Sequence, residues 1–339
     1  MSDIVLVTGA SGLVGANLTR ALLKQGRDVR ALVHEDRRAL EGLEVEAVQA
    51  DIRDLEALER ALAGVDVVYH LAGSISLEMD SGPEMEAVNA MGTRNVVSAC
   101  LRCGVRRLVH FSSIDALSPQ PYDVRVDETR PLIDEDRSAA EFERISPYQR
   151  SKAQSEREVH AGIDRGLDAV ILRPTAIFGP NDFKPSFIGQ ALIQLARGRI
   201  PALVRGGFDW VDVRDVVMGA LRAEQIAPTG AHYLLGGHWQ SIREVAERVA
   251  AVTGQPAPRF NVPIELADAF APVMLKMAHF NGTHPIYTKV TLDALRGNRQ
   301  VNCARATRDL GYTARPLDET VRDTLNWFHE HGYLAARHP

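Results

Sequence analysis

The chain begins with a short apolar run, Ile4-Val5-Leu6-Val7, that passes directly into Thr8-Gly9-Ala10-Ser11-Gly12-Leu13-Val14-Gly15. The run reads as a buried parallel strand, and the three glycines after it read as a tight turn opening a helix. At such a helix start the first backbone N–H groups lack intrahelical partners and the helix dipole is positive, so the turn can hold a pyrophosphate. Gly9, Gly12, Leu13, Val14 and Gly15 are therefore candidate contacts to a dinucleotide.

The segments beyond this turn set the fold class. A helix from about Gly12 to Gln25, closed by Gly26, leads to a strand over Asp28 to Val33. Then come a strand over Val45 to Val48, a helix over Leu55 to Ala63 and a strand over Val65 to Tyr69. A long helix over Pro83 to Cys103 ends at Gly104 and precedes the strand Arg107 to Phe111. This alternation predicts an α/β fold with a doubly wound parallel sheet and right-handed crossovers, its ligands at the carboxyl ends of the strands. A helix over Pro147 to Arg165, capped by Gly166, and a strand over Ala169 to Leu172 ending at Arg173-Pro174 complete a dinucleotide-binding domain over residues 1–174. Beyond it the rhythm weakens. Residues 175–207 and 239–339 are expected to form a smaller, mostly helical substrate lobe. Trp210 to Arg222 and His232 to Leu235, within about 208–238, look like returns to the sheet domain. The acidic, proline-interrupted stretch from Ser118 to Arg144 reads as a loop over the site.

Composition excludes several classes. With 339 residues, 45% hydrophobic and 24% charged, the chain can bury a full core, with a prior of about two domains. A net charge of −5 with scattered lysines and arginines argues against a nucleic-acid partner. No stretch approaches the roughly 18 apolar residues that span a bilayer, and a strand starting at Ile4 leaves no room for a signal peptide, so a cytoplasmic protein is expected. Cys100, Cys103 and Cys303 are too few for a disulfide framework, and Cys100-x-x-Cys103 lies late in a helix, as packed thiols. His279 and His284 flank a helix-breaking Asn281-Gly282 and have no third ligand, so no metal is expected. Ile264 to Phe280 is amphipathic and is read as a lobe or lid helix rather than a membrane-surface one. Ser74 to Met79 comes after a strand end and either touches substrate or crosses to the next helix.

Proton chemistry is suggested by Tyr148-Gln149-Arg150-Ser151-Lys152. Four residues apart on a helix, Tyr148 and Lys152 project from one face. An ammonium about 4 Å from a phenolate, at an effective dielectric of about 20, is worth about 4 kcal/mol, or about three decades of acidity. The pairing thus predicts a phenol titrating at about 7, suited to proton transfer at neutral pH. Ser112 and Ser113 end the strand from Arg107, where the sheet opens onto ligand.

Thr8 to Gly15, Asp51-Ile52, Leu71-Ala72-Gly73, Asn89 to Asn95, Phe111-Ser112-Ser113, Tyr148 to Lys152 and Arg173 to Pro180 stand in the order of an extended short-chain dehydrogenase. Gly207 to Val216, Leu310-Gly311-Tyr312 and Arg315-Pro316-Leu317 further resemble the dihydroflavonol reductase-like branch of the NAD(P)-dependent epimerase/dehydratase family. The resemblance spans nearly the whole chain. It implies a Rossmann domain and Ser113, Tyr148 and Lys152 as catalytic residues, with Ser112 beside the cofactor. It also implies Asp51 and Ile52 at the adenine, Leu71, Ala72, Gly73 and Asn89 along ribose and diphosphate, and Pro174 and Ile177 at the carboxamide. The position that carries a carboxylate in NAD readers is Val33, with His34-Glu35-Asp36-Arg37-Arg38 next in the chain. His34 stands where the NADP branch usually has arginine. With Arg37 and Arg38 close by, NADP(H) is favoured over NAD(H). Dehydratases of this superfamily resemble one another in an Asp-Glu pair after the catalytic hydroxyl. Here Ile114 and Asp115 disfavour dehydration, and Asp115 either caps the loop or touches substrate. The helices from Pro83 and Pro147 resemble the family's dimer surface, so a homodimer is expected. The expected function is NADP(H)-dependent interconversion of a carbonyl and a secondary alcohol on a small organic substrate. The alternatives are a nucleotide-sugar epimerase and a non-catalytic NADP-sensing protein.

Overall fold

The β-branched runs of the first half pair in parallel, as their burial on both faces requires. The computed structural model describes residues 3–75, 82–121, 124–133, 145–269, 288–296 and 300–335. In chain order its elements begin β1 (Ile4–Thr8), α1 (Leu13–Lys24), β2 (Asp28–Val33), β3 (Glu46–Gln49), α2 (Leu55–Leu62) and β4 (Val67–His70). Next come α3 (Gly92–Cys103), β5 (Arg107–Phe111), α4 (Pro147–Asp164), β6 (Ala169–Pro174), β7 (Ala176–Phe178) and α5 (Phe187–Ala196). Then follow β8 (Ala202–Val204), β9 (Gly207–Asp212), α6 (Val213–Ile226), β10 (His232–Leu235), β11 (His238–Ser241) and α7 (Ile242–Thr253). The described elements end with β12 (Phe260–Val262), α8 (Lys289–Arg296), α9 (Ala304–Leu310) and α10 (Leu317–Glu330).

Seven strands form the main sheet in the order β10-β6-β5-β4-β1-β2-β3. The chain reverses direction across the sheet between β1 and β4, which puts the ligand crevice at their carboxyl ends. One face is covered by α1 and α6 through Leu18, Leu22, Val217 and Leu221, the other by α2, α3 and α4 through Leu58, Val96 and Val159. Every residue of β4, β5 and β6 is buried. A separate core of Phe178, Trp210, Val249 and Leu325 holds the smaller lobe, which adds to its helices a three-stranded sheet, β11-β9-β7, and a two-stranded one, β12-β8.

Two local differences from the sequence pattern matter for the site. The long helix expected over Pro83 to Cys103 is interrupted: a helical turn at Gly82–Met85 passes into a π-helical stretch, Glu86–Met91, before α3 begins. Of Trp210 to Arg222, expected to return to the sheet domain, Trp210 pairs in the small sheet with Ala176 and His238, while Val211 joins the main-sheet core and α6 packs against α1. Of the loop expected over Ser118 to Arg144, Leu132 bridges to Leu117 and Val126 to Val301, while residues 122–123 and 134–144 lie outside the described residues. So do His279, His284, most of Ile264 to Phe280 and residues 76–79.

A buried ion pair joins α4 to the sheet. Glu156, with no solvent exposure, takes Nε of Arg173 at 3.1 Å on each of its oxygens, a further Arg173 Nη2 contact, and the Ser112 hydroxyl at 2.7 Å. Burial alone would raise the carboxyl's pKa, but hydrogen bonds from His160 and Arg173, the Arg173 charge and Ser112 outweigh it and hold it well below the usual carboxylate range. Removing one partner of such a pair leaves a buried charge uncompensated, at about 3–5 kcal/mol. Glu156→Gln is therefore expected to lower the unfolding free energy by that order at neutral pH, read as a lower urea midpoint. Because the folded pKa is depressed, this contribution is full above the ordinary carboxylate range and is lost as pH falls below it, so the gap between the two proteins should close in acid. Equal midpoints at neutral pH would contradict the role given to the pair.

Candidate active site

At the carboxyl ends of the central strands a cleft of about 480 Å³ opens between the main sheet and the smaller lobe. Gly9, Gly12, Leu13, Val14 and Gly15 line one end of it, with Leu71 and Gly73 beside them. Ser112, Ser113, Tyr148 and Lys152 line its middle, and Pro174 and Ile177 face them from the exit of β6. Ala72 and Asn89 stand behind this wall. His34, Arg37, Arg38, Asp51 and Ile52, at the ends of β2 and β3, are not part of it.

The glycine turn fits a dinucleotide. Gly9 adopts φ +66°, and a Cβ there would meet the Ala72 amide nitrogen at 2.8 Å, so the turn lies directly on the exit of β4. Gly12 is the N-cap of α1 and supplies no side-chain cap, whereas α4, α5 and α6 are capped by Ser146, Ser186 and Asp212. The free N–H groups of the first turn of α1 thus face the cleft, available to a diphosphate.

Behind the turn runs a hydrogen-bond chain that the sequence alone does not announce. Thr8 Oγ1 accepts from the amides of Leu71 and Ala72, both at 3.0 Å, so its proton goes to His70 Nδ1 at 2.8 Å. That assigns the proton of His70 to Nε2, which donates to Thr93 Oγ1 at 2.9 Å; Thr93 in turn donates to the carbonyl of Asn89 at 2.5 Å. Burial keeps the imidazole neutral, with a pKa lowered to about 3. Asn89, in the π-helical stretch, accepts from the Ser74 amide at 2.7 Å and donates to the Ser74 carbonyl and to Ser151 Oγ at 2.9 and 2.8 Å. The only signal for this in the sequence is a polar His70 closing the apolar run Val67-Val68-Tyr69.

Helix α4 starts where the sequence places it, because Ser146 and Gln149 form a reciprocal capping box with Pro147 in the first turn. Tyr148 and Lys152 then share the face toward the cleft. Lys152 Nζ, however, donates to the carbonyl of Phe111 at 3.0 Å, and burial lowers its pKa to about 8. Burial and the nearby Asp115 carboxyl push the Tyr148 phenol above its usual value, against an opposing contact with Ser113. The expectation that the lysine brings the phenol to about 7 is not met in this arrangement: the ammonium donates to a backbone carbonyl, and the charge acting on the phenol is that of Asp115. Asp115 follows Ser113, the N-cap of a short helical turn: its amide donates to Ser113 Oγ at 3.1 Å, and its half-buried side chain, raised in pKa by desolvation, lines the cleft.

At the end of β2, His34 is exposed, 3.7 Å from Asp51, whose carboxylate is held by Arg53. Arg38 folds onto Asp36 at 2.7 Å, and Arg37 is exposed. Ile52 is buried beneath Gly92, where a Cβ would meet it at 2.6 Å. Asp209, which lies in the Gly207 to Val216 stretch but is given no role by it, lines the cleft and is held through one oxygen by Thr175 Oγ1 at 2.9 Å and the Gly237 amide at 2.7 Å. Cys100 is a buried thiol, and among the described residues no group of three potential metal ligands occurs. No described helix is long and apolar enough to cross a membrane.

Known proteins share this arrangement of fold and turn. The profile of the NAD dependent epimerase/dehydratase family matches residues 5–236. Sterol demethylase protein B of Methylococcus capsulatus is 36% identical, the match covering 97% of this chain and 99% of that protein. A putative dihydroflavonol 4-reductase of Synechocystis is 33% identical, covering 99% of this chain and 98% of that one. The crystal structure of gox2253 superposes with a TM-score of 0.84 at 31% identity, over 98% of this chain and 100% of the other. The chain therefore belongs to the NAD dependent epimerase/dehydratase family, among the extended short-chain dehydrogenases/reductases.

Proposed function

We propose that this oxidoreductase interconverts a carbonyl and a secondary alcohol on a small organic substrate, with NADP(H) preferred over NAD(H). The observation that carries the reading is the convergence of Ser113, Tyr148 and Lys152 on the same cleft as the uncapped glycine turn. When bound, the nicotinamide supplies or accepts the hydride. In reduction Tyr148 gives its phenolic proton to the carbonyl oxygen, and Ser113 Oγ donates a hydrogen bond to that oxygen. Lys152, released from the Phe111 carbonyl toward the ribose, favours the phenolate left behind. Leu13, Val14 and their neighbours hold the diphosphate through backbone N–H groups. Asp51 and Ile52 bound the adenine, and His34, Arg37 and Arg38 read the far ribose. Val33, which brings no carboxylate to that ribose, and the exposed Arg37 support the 2′-phosphate form. The sheet domain, residues 1–174 with returns at about 208–238, binds the cofactor, and the rest forms the substrate lobe.

The family's name also covers epimerases, which would use the same residues but return the hydride to the same substrate. Net NADPH consumption by a ketone separates the two readings. With such a substrate, NADPH is expected to give the higher kcat/KM of the two cofactors, and Tyr148→Phe is expected to reduce turnover about 100- to 10,000-fold with cofactor still bound. A Tyr148→Phe protein that keeps most of its activity would refute the assignment of roles.

The pH dependence follows from Lys152. Its lowered pKa of about 8 means that the ammonium is present below that pH and lost above it. For reduction, kcat/KM is expected to fall as pH rises through about 8, and Lys152→Met should remove that limb along with most of the rate. A wild-type profile flat well into the alkaline range would count against a role for the charge.

A homodimer through the α3 and α4 faces completes the reading. These helices pack side by side, with Arg94 and Glu158 paired at 2.6 Å across them. Sedimentation equilibrium is expected to give the mass of two chains; a single-chain mass at all concentrations would exclude it.

A further inference from the structure

The two ends of the cleft are opposite in electrical character. At the cofactor end the start of α1 presents free N–H groups and no side-chain cap, a setting for an anion. Among the described residues, the side chains lining the cleft at the substrate end are mostly aliphatic and aromatic, Ile75, Ile114, Ala176, Phe187, Ile188 and Phe208, with the hydroxyls of Thr175 and Thr291 beside them. Among them stand two carboxyls, Asp115 and Asp209.

A third carboxyl, Asp182, stands behind the lining at this end, on the amino terminus of α5. Helix α5 starts at the cleft, with Ser186, Phe187 and Ile188 on its lining. Its amino terminus is already served from within. Asp182, 2% exposed, accepts from the Ser186 amide at 2.9 and 3.0 Å and from the Ser186 hydroxyl at 2.8 Å, while Ser186 Oγ accepts from the Gly189 amide at 3.1 Å. The packing is tight enough that a Cβ on Gly189 would collide with the Asp182 carboxylate. The chain's own carboxylate thus fills the helix terminus that a diphosphate needs. Asp209 is likewise fixed, by Thr175 and Gly237, with one oxygen left for the cleft. An anion entering here would meet carboxyl groups held in place by the chain's own hydrogen bonds, and like-charge contacts at short range are costly.

Resting on the carbonyl–alcohol reading above, we infer that this cleft takes an uncharged, largely apolar ketone or alcohol, and that Asp209, with Asp182 and Asp115, excludes nucleoside diphosphates and other anions. The apolar walls hold the body of such a molecule, and the free Asp209 oxygen accepts from a hydroxyl carried on it.

The test uses a matched pair of probes, the methyl ester of oxocyclohexylbenzoic acid and its free carboxylate, which differ in charge away from the ketone. Calorimetric titration of the NADP-saturated full chain with each, and with UDP-glucose, is expected to give a carboxylate at least about tenfold weaker than the ester and no measurable UDP-glucose binding. Asp209→Asn, which keeps an acceptor for Thr175 and Gly237, should narrow the ester-to-carboxylate ratio several-fold. If that protein does not fold, Asp115→Asn serves the same comparison. Binding of the carboxylate or UDP-glucose as tightly as the ester, failure of the ester to bind, or an unchanged ratio in the folded variants would overturn the inference. Failure of the underlying reading looks different: the ester binds, but NADPH is not consumed, or is consumed equally by Tyr148→Phe.

Discussion

The Glu156 carboxylate makes the sheet and the helix bearing Tyr148 and Lys152 one unit. It lies one turn beyond Lys152 on α4 and receives Arg173 from the end of β6 and Ser112 from the end of β5. The two strands whose carboxyl ends form the middle of the cleft are thereby tied to the helix that carries Tyr148 and Lys152. A charge pair of this kind contributes little net stability over a well-packed apolar substitute, since both ions must be desolvated. Its worth here is geometric, because Ser113 follows Ser112 directly and its distance to Tyr148 depends on how α4 seats against β5.

A second tie runs from the glycine turn to the same helix. Thr8, His70, Thr93 and Asn89 form a chain of directed hydrogen bonds that ends on Ser151, between Tyr148 and Lys152. The π-helical stretch gives Asn89 its place in this chain. In a regular helix over the same residues its side chain would be turned relative to Ser74 and Ser151, and such irregular turns recur at functional sites for that reason. With every donor and acceptor of His70 and Asn89 engaged, the diphosphate end and the proton-transferring end of the cleft are held at one separation.

The parts legible in the sequence are those set by local rules. The run from Ile4 into the glycines reads as strand, turn and helix because burial and backbone freedom leave few alternatives. Tyr148 and Lys152 share a face because a helix repeats every 3.6 residues, and Ser146 with Gln149 announces where that helix starts. The features that stay hidden in the sequence depend on partners far along the chain. Thr8 meets His70 across 62 residues, and nothing near Trp210 says that its strand pairs with Ala176 and His238. The orientation of the Lys152 ammonium is hidden on the same ground. Spacing places the side chain, but its hydrogen-bond partner is a carbonyl on another element, and burial with Asp115 sets the phenol's acidity.

The cleft thus changes character along its length, with free N–H groups at one end, the hydroxyls of Ser113 and Tyr148 in the middle and carboxyls among apolar walls at the other. This arrangement fits the proposed transfer of a hydride from nicotinamide to a carbonyl carbon. The most direct measurement is a turnover of the ketone ester with NADPH deuterated at the transferring position of the nicotinamide, with mass analysis of the isolated alcohol. One deuterium on the carbinol carbon is expected with the wild-type protein, and about 100- to 10,000-fold less labelled alcohol in the same time with Tyr148→Phe. Unlabelled alcohol, or unreduced ketone with label still on the cofactor, would contradict hydride transfer at this site.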